Sequence, residues 1–270
     1  MRVHVIETGR VVCRQALVDG PENQLLGFVN ALFRPKKMSV PVHAYVLEHP
    51  DGLIVIDTGL HAETRIPRPF RSFIDAEPPE PSEECGPQMR AKGFRPEDVR
   101  WVIPTHLHLD HAGGLRHFPD AEILVHRMEY EKSPMEKRLD FRHLWPDWLS
   151  PNVYNLDPEP YHGFPSYKRL ASDITLVPTP GHSPGHVGIL VDTDGPTLFF
   201  AGDHCLSQER FASDFAADRL VMLGFAPKTA RQTSRNIAAF VRDVPTMLIP
   251  AHDPTAATRL ASAVREPVAV

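Results

Sequence analysis

The feature that most constrains this chain is a short apolar run, Trp101 to Pro104, leading without a break into Thr105-His-Leu-His-Leu-Asp-His-Ala-Gly-Gly114. A continuous apolar run of this length reads as a strand buried on both faces. Residues two apart on a strand point the same way. His106 and His108 therefore face a common point where the strand ends, while the adjacent Asp110 and His111 need a turn to share a second one. Neutral imidazole and carboxylate are donors that suit divalent first-row metals. Packing offers no reason for three imidazoles and a carboxylate within six positions. Gly113 and Gly114 then permit close backbone approach where a helix starts against the site.

Other segments end in the same way. Thr246 to Pro250 is a second continuous apolar run, followed at once by His252, and Leu198-Phe-Phe-Ala-Gly202 leads to Asp203. His182 lies in Thr179-Pro-Gly-His-Ser-Pro-Gly-His186, so His182, Asp203 and His252 are candidates to meet the first cluster at a common rim. Val42 to Glu48 and Leu53 to Asp57 flank the turn signal His49-Pro-Asp-Gly52 and predict a hairpin. His186 to Asp192 and Thr197 to Phe200, around Thr193-Asp-Gly-Pro196, predict another. The N-terminus reads as a first strand. Helical patterns cover Met135 to Trp145, Lys228 to Val241, with Ile237, Phe240 and Val241 on its buried face, and Thr255 to Val264. Arg65 to Pro87 holds six prolines and is expected to be an extended loop, a lid or an edge. The apolar stretch Asn23 to Met38 is expected to line a pocket or a subunit contact, the latter in a homodimer.

Composition narrows the classes. The chain has 270 residues, 42% of them hydrophobic and 23% charged, which suits one self-sufficient core, read as a single domain over 1–270. A net charge of −5, with 29 basic residues spread along the chain, leaves no electrostatic footprint for nucleic acid. No stretch approaches the roughly 20 apolar residues of a membrane span. The N-terminus lacks the apolar block of a signal peptide. Cys13, Cys85 and Cys205 have no paired spacing, so buried free thiols in a cytoplasmic protein are expected.

Together these motifs resemble the metallo-β-lactamase superfamily, from Asp57-Thr58-Gly59 to His252. The resemblance implies an α/β fold, a four-layer αββα sandwich with the site at one edge. It places one metal on His106, His108 and His182, a second on Asp110, His111 and His252, and Asp203 between them, with Asp57 supporting the ligands from behind. The cofactor implied is a pair of divalent ions, zinc first, with manganese, cobalt or iron accepted by the same donors. Asp203 argues against the zinc β-lactamases proper. The segment Thr179 to His186, the Gly202-Asp203 pair and the chain length instead resemble the N-acyl-homoserine lactonase group. One position departs from it: those lactonases carry a Tyr three residues after the bridging Asp, where this chain has Leu206.

The expected reaction is lactone opening, with an N-acyl-homoserine lactone as substrate and quorum quenching as its consequence. A metal-bridging hydroxide would attack the carbonyl and Asp110 would carry the proton to the departing alkoxide. His186 and His204 are candidates for a substrate or oxyanion contact, and Phe28, Leu32 and Phe33 for an acyl pocket. The partner is thus a small molecule with an apolar tail. Leu206 keeps open a different ester, a thioester of the glyoxalase II kind, or a phosphoester. An iron redox protein of this fold would need an attached domain for which 270 residues leave no room. Cys205 and the aromatics Phe141, Trp145 and Trp148 read as packing, and the scattered histidines, His43, His61 and His126 among them, as solvated or capping.

Overall fold

The computed structural model describes residues 1–19, 33, 36–66, 71, 73–134, 137, 140, 142–214 and 226–263. Strands β1 (Arg2–Arg14), β2 (Lys37–His49), β3 (Gly52–Ile56), β4 (Ile74–Glu77), β5 (Val99–Ile103), β6 (Glu122–His126) and β7 (Asn152–Tyr154) form one sheet, in the order β4-β1-β2-β3-β5-β6-β7. Strands β8 (Lys168–Ala171), β9 (Ile174–Pro178), β10 (Val187–Val191), β11 (Thr197–Gly202) and β12 (Thr246–Pro250) form the second, in the order β12-β11-β10-β9-β8. Both predicted hairpins form: Tyr45 pairs with Ile56 in antiparallel β2 and β3, and Ile189 with Phe200 in antiparallel β10 and β11.

Alternation along the strands explains why two sheets need four layers. In β2, Tyr45 and Leu47 turn into the space between the sheets while Ala44 and Val46 face the other way, and both sets are buried. In the second sheet Leu198, Phe200, Met247 and Ile249 enter the same central layer, whereas Phe199, Ala201 and Leu248 face outward. A strand apolar on both faces requires cover on both. On the first sheet the cover comes from α2 (Cys85–Ala91) and α3 (Leu109–Ala112), through Cys85, Met89 and Ala112, with Leu115 and Phe118 just beyond α3. On the second sheet it comes from α5 (Gln208–Asp214) and α6 (Pro227–Asp243), through Phe211, Ile237 and Phe240. Helices α1 (Gln15–Asp19), α4 (Arg127–Tyr130) and α7 (Ala256–Ala263) complete the described helices.

Two expectations change. Arg65 to Pro87 is not a plain loop: Ile74–Glu77 adds to the sheet edge against β1, and the helix α2 starts at Cys85. The β1 backbone supplies the hydrogen-bond partners that this proline-rich stretch lacks within itself, and Pro87 sits in the first turn of α2, where a missing N–H costs nothing. The predicted helix from Met135 to Trp145 lies partly outside the described residues, and its described end, Arg142–Leu144, is a single 3-10 turn. Among the described residues no helix is long and apolar enough to cross a membrane.

The sheets converge at one rim. Val187 N–H donates to the Thr105 carbonyl (2.9 Å), His43 N–H to the Ala251 carbonyl (3.2 Å) and the Tyr45 hydroxyl to the Pro250 carbonyl (3.1 Å). These bonds tie the start of β10 to the end of β5, and the end of β12 to the middle of β2, so the strand ends of β5, β10 and β12 that adjoin the histidine motifs are held in place.

Candidate metal centre

The strand β5 ends at Ile103, and residues 105–114 turn from it into α3. Close approach of the chain to itself fixes this turn. Thr58 N–H and Oγ1 both donate to the His111 carbonyl (2.7 and 2.9 Å), and a side chain at Gly114 would meet the Thr58 carbonyl oxygen at 2.3 Å. The expected role of Gly114 in permitting that approach is met.

The turn gathers two groups of side chains. His106, His108 and His182 form one, and Asp110, His111, Asp203 and His252 the other, each with donor atoms within 4.8 Å of one another. His182 Nε2 lies 2.9 Å from His108 Nδ1. Asp203 stands between the groups: its Oδ1 is 3.0 Å from His111 Nε2 and 3.1 Å from His252 Nε2, while its Oδ2 is 3.3 Å from His182 Nε2. Asp110 Oδ2 approaches His252 Nε2 at 3.5 Å and His111 Nε2 at 3.8 Å.

Hydrogen bonds behind the groups orient the rings. His111 Nδ1–H donates to Asp57 Oδ2 (2.9 Å), and His252 Nδ1–H to the Pro41 carbonyl (2.8 Å), so each presents Nε2 to the centre. Asp57, at a left-handed φ of 55°, is held by Thr105, whose N–H donates to Oδ1 (2.7 Å). This is the placement expected of a carboxylate that fixes the tautomer of a ligand histidine.

The donors fit a metal pair. Buried His106 Nε2 has no hydrogen-bond partner, and His111 Nε2 and Asp203 Oδ1 meet only other members of the two groups, an arrangement that is costly in a protein interior unless a cation completes it. Burial, reinforced by the neighbouring imidazoles, holds His106 and His108 well below the ordinary histidine range, so both are neutral with lone pairs available. Burial also depresses His182, against the pull of Asp203. At His111 burial acts downward too, but Asp203, Asp57 and Asp110 outweigh it and lift the ring well above its usual value; Asp203 does the same for His252. The three-imidazole group thus offers neutral nitrogens, and the carboxylate-rich group draws positive charge.

The remaining candidates sit elsewhere. Both ring nitrogens of His186 are engaged within the protein, Nε2 accepting from Asp203 N–H (3.1 Å) and Nδ1 meeting Thr179 Oγ1 (2.7 Å), so this ring holds the Asp203 backbone and has no nitrogen left for a substrate. His204 is buried with Nε2 on Ser234 Oγ (3.0 Å). Phe28 and Leu32 lie outside the described residues, and Phe33 is 80% exposed. Leu206 packs with Cys13 and Val18, so the position where lactonases carry Tyr has joined an apolar cluster. The cysteines are free and buried, as expected. Trp145 is partly buried against the helix-side core, Trp148 is 45% exposed, and Phe141 lies outside the described residues. His43 and His126 are buried, against the expectation of solvated or capping roles, whereas His61, though buried, does cap, its Nδ1 accepting the Glu63 N–H (2.9 Å). Sequence reasoning passed over Thr105, Ser183 and Glu129, whose roles rest on partners remote in the chain.

Comparison with known proteins places this arrangement. A model of the metallo-beta-lactamase superfamily matches residues 39–252, from β2 to the last histidine of the centre. The chain belongs to the metallo-β-lactamase superfamily. Its relatives in that superfamily include the N-acyl homoserine lactonase AiiA of Bacillus thuringiensis subsp. kurstaki, 28% identical over 239 residues that cover 83% of this chain and 86% of that one. A probable metallo-hydrolase of Mycobacterium tuberculosis is 31% identical over 180 residues, covering 60% and 56%. Among solved structures, an N-acyl homoserine lactone hydrolase with N-hexanoyl-L-homoserine at its metal centre superposes with a TM-score of 0.73 at 22% identity, covering 96% of this chain and 95% of that one. The dizinc quorum-quenching lactonase AidC gives 0.64 at 17% identity, covering 93% and 88%. The superfamily member described here is a metal-dependent hydrolase with the αββα fold.

Proposed function

We propose that this hydrolase opens the ring of a lactone, with N-acyl-homoserine lactones as the substrate class, and that residues 1–270 act as one domain. The observation that carries the reading is Asp203, which turns one carboxylate oxygen to each of two groups of imidazoles. His106, His108 and His182 would hold one divalent ion, Asp110, His111 and His252 the other, and Asp203 both; zinc is the first choice. When bound, such ions make water acidic enough to be a nucleophile near neutral pH and polarise a carbonyl.

The chain's own residues do the rest. Asp57 and the Pro41 carbonyl keep His111 and His252 in the tautomer that presents Nε2. Asp110 lies at the rim of the centre, and its carboxylate would take the proton released by the attacking water and hand it to the ring oxygen as the ring C–O bond breaks. A cavity of about 570 Å³ lies beside the His182 loop, lined by Met128, Leu156, Pro180 and Pro184 but by none of the candidate ligands. Leu206 favours a second reading. Without a hydroxyl at that position the carbonyl has one helper fewer, which suits another ester, a thioester or a phosphoester.

A screen on protein of known metal content separates these. Short- and long-chain lactones should be opened faster than a thioester or a phosphodiester, and His108→Ala should lower turnover by roughly 100-fold or more. No turnover of any lactone would remove the first reading. A fully active His108→Ala would remove the centre itself.

A further inference from the structure

Beyond the ligands, one buried carboxylate touches both loops of the three-imidazole group. Glu129 is 1% exposed and sits in α4, just after β6. Its Oε1 accepts the N–H of Leu107, the residue between His106 and His108 (3.0 Å). Its Oε2 accepts the Ser183 hydroxyl (2.7 Å) and the Gly185 N–H (3.2 Å), immediately after His182. The loop presses directly on this point, since a side chain at Gly185 would lie 2.0 Å from the Glu129 nitrogen. The neighbouring His126 Nδ1–H donates to the Gly185 carbonyl (3.1 Å) and ties the same elements again.

The charge on Glu129 is matched within the interior. Lys132 Nζ, its side chain fully buried, lies 2.5 Å from Glu129 Oε1 and 2.6 Å from Asp140 Oδ1, and Asp140 Oδ2 accepts from Arg142 Nε (2.9 Å). Burial alone would raise the Glu129 carboxyl, but the Lys132 ammonium and the hydrogen bonds it receives hold it below the ordinary glutamate range, so it is an anion with all its acceptor sites. Buried ion pairs of this kind add little net stability over an apolar filling of the same volume. Their use here is geometric.

We propose that Glu129 is the positioning residue of the three-imidazole group, a strut that sets the separation of the His106–His108 turn from the His182 loop and so the affinity of that group for its metal ion. The proposal rests on the binuclear reading above. The carboxylate-rich group has its own supports, Asp57 and the Pro41 carbonyl, neither of which touches Glu129, although Thr105 Oγ1 meets both Asp57 and His106 Nδ1 (3.1 Å each). Glutamine at 129 would keep the volume but present one accepting oxygen in place of two, leaving one loop facing an N–H donor.

Competition between full-length protein and a chromophoric chelator for zinc tests this, with thermal melting as a check on folding. Wild type should bind two zinc ions. In Glu129→Gln one of the two should weaken about 10- to 100-fold while the other is unchanged. In a His108→Ala background, which retains only the ion of the carboxylate-rich group, adding Glu129→Gln should leave that ion's affinity unaltered; adding Asp57→Asn should weaken it. Unchanged binding in Glu129→Gln, or equal weakening of both ions, would overturn the strut while leaving the binuclear reading in place. Wild type that binds fewer than two ions would overturn both. Should Glu129→Gln not fold, Ser183→Ala removes a single bond of the strut and should weaken the same ion several-fold; no change there would equally count against it.

Discussion

Buried histidines away from the ligands make pH the natural probe of single residues. His43 is pulled down to about 4 by burial, assisted by the charge of His252, with Asp253 acting in the opposite sense and Arg10 in the same one. Burial brings His204 down to about 3. Each ring takes up a proton in the unfolded chain near 6.5 but resists it in the folded one. Their contribution is therefore whole above pH 6.5 and is lost as pH falls toward 4 and 3. Metal-free protein should accordingly lose urea stability between pH 7 and pH 5. His252, raised chiefly by Asp203 against its burial, acts the other way, so the difference between wild type and His43→Asn isolates His43: the variant's fall should be shallower over this range. Equal slopes would show that His43 takes up its proton over the same range in the folded protein as in the unfolded chain. At this scale the candidate ligands were legible because packing alone does not call for imidazoles at spacings of two and three, whereas Thr105 and Ser183 are ordinary residues until their partners are known.

Elements show where reading by period succeeds. The helix α6, expected over Lys228 to Val241, spans Pro227–Asp243, because Ala230, Ser234, Ile237, Phe240 and Val241 recur on one face. That face works from both ends. Phe240 packs on Phe199 and Phe164, while Ala230 lies against Gly181, where a side chain would meet the Ala230 Cα at 2.6 Å, and Thr233 Oγ1 donates to the Pro180 carbonyl (2.7 Å). The helix thus supports the His182 loop from outside. Phe240→Ala should cost about 3–5 kcal/mol by chemical denaturation, since it empties a packed aromatic site, and should leave zinc stoichiometry intact because the loop contacts lie at the far end of the helix; a loss near zero would mean that the outer layer collapses freely onto the vacancy. Strand β8 is hard to read because Lys168–Ala171 is a half-buried edge with no clear alternation. The strand β9, Ile174–Pro178, carries the same apolar run as β5 and could have been read.

In the whole molecule the centre is where both sheets end, so metal and fold are linked. Asp57, Asp110 and Asp203 crowd the buried imidazoles at this rim, and ions bound only by the folded state stabilise it by about 2.7 kcal/mol per site at 100 times Kd. Chelation should lower the midpoint of thermal unfolding by roughly 5–10 °C per ion removed, restored by zinc. A midpoint indifferent to chelator would show that the rim is held by its backbone bonds alone.

What the sequence by itself determined is local: the ligand motif at the end of a buried strand, the two hairpins, the helix α6, and a class of chemistry that follows from donor type and spacing. Those features depend on neighbours within one turn or one strand, which a period or a motif records. Only the tertiary structure decided that His186 is spent on the Asp203 backbone, that Leu206 belongs to an apolar cluster, and that Glu129 spans two loops. Its partners lie 22, 54 and 56 positions away. No spacing in a chain announces such contacts, because they arise from how the two sheets and their loops pack.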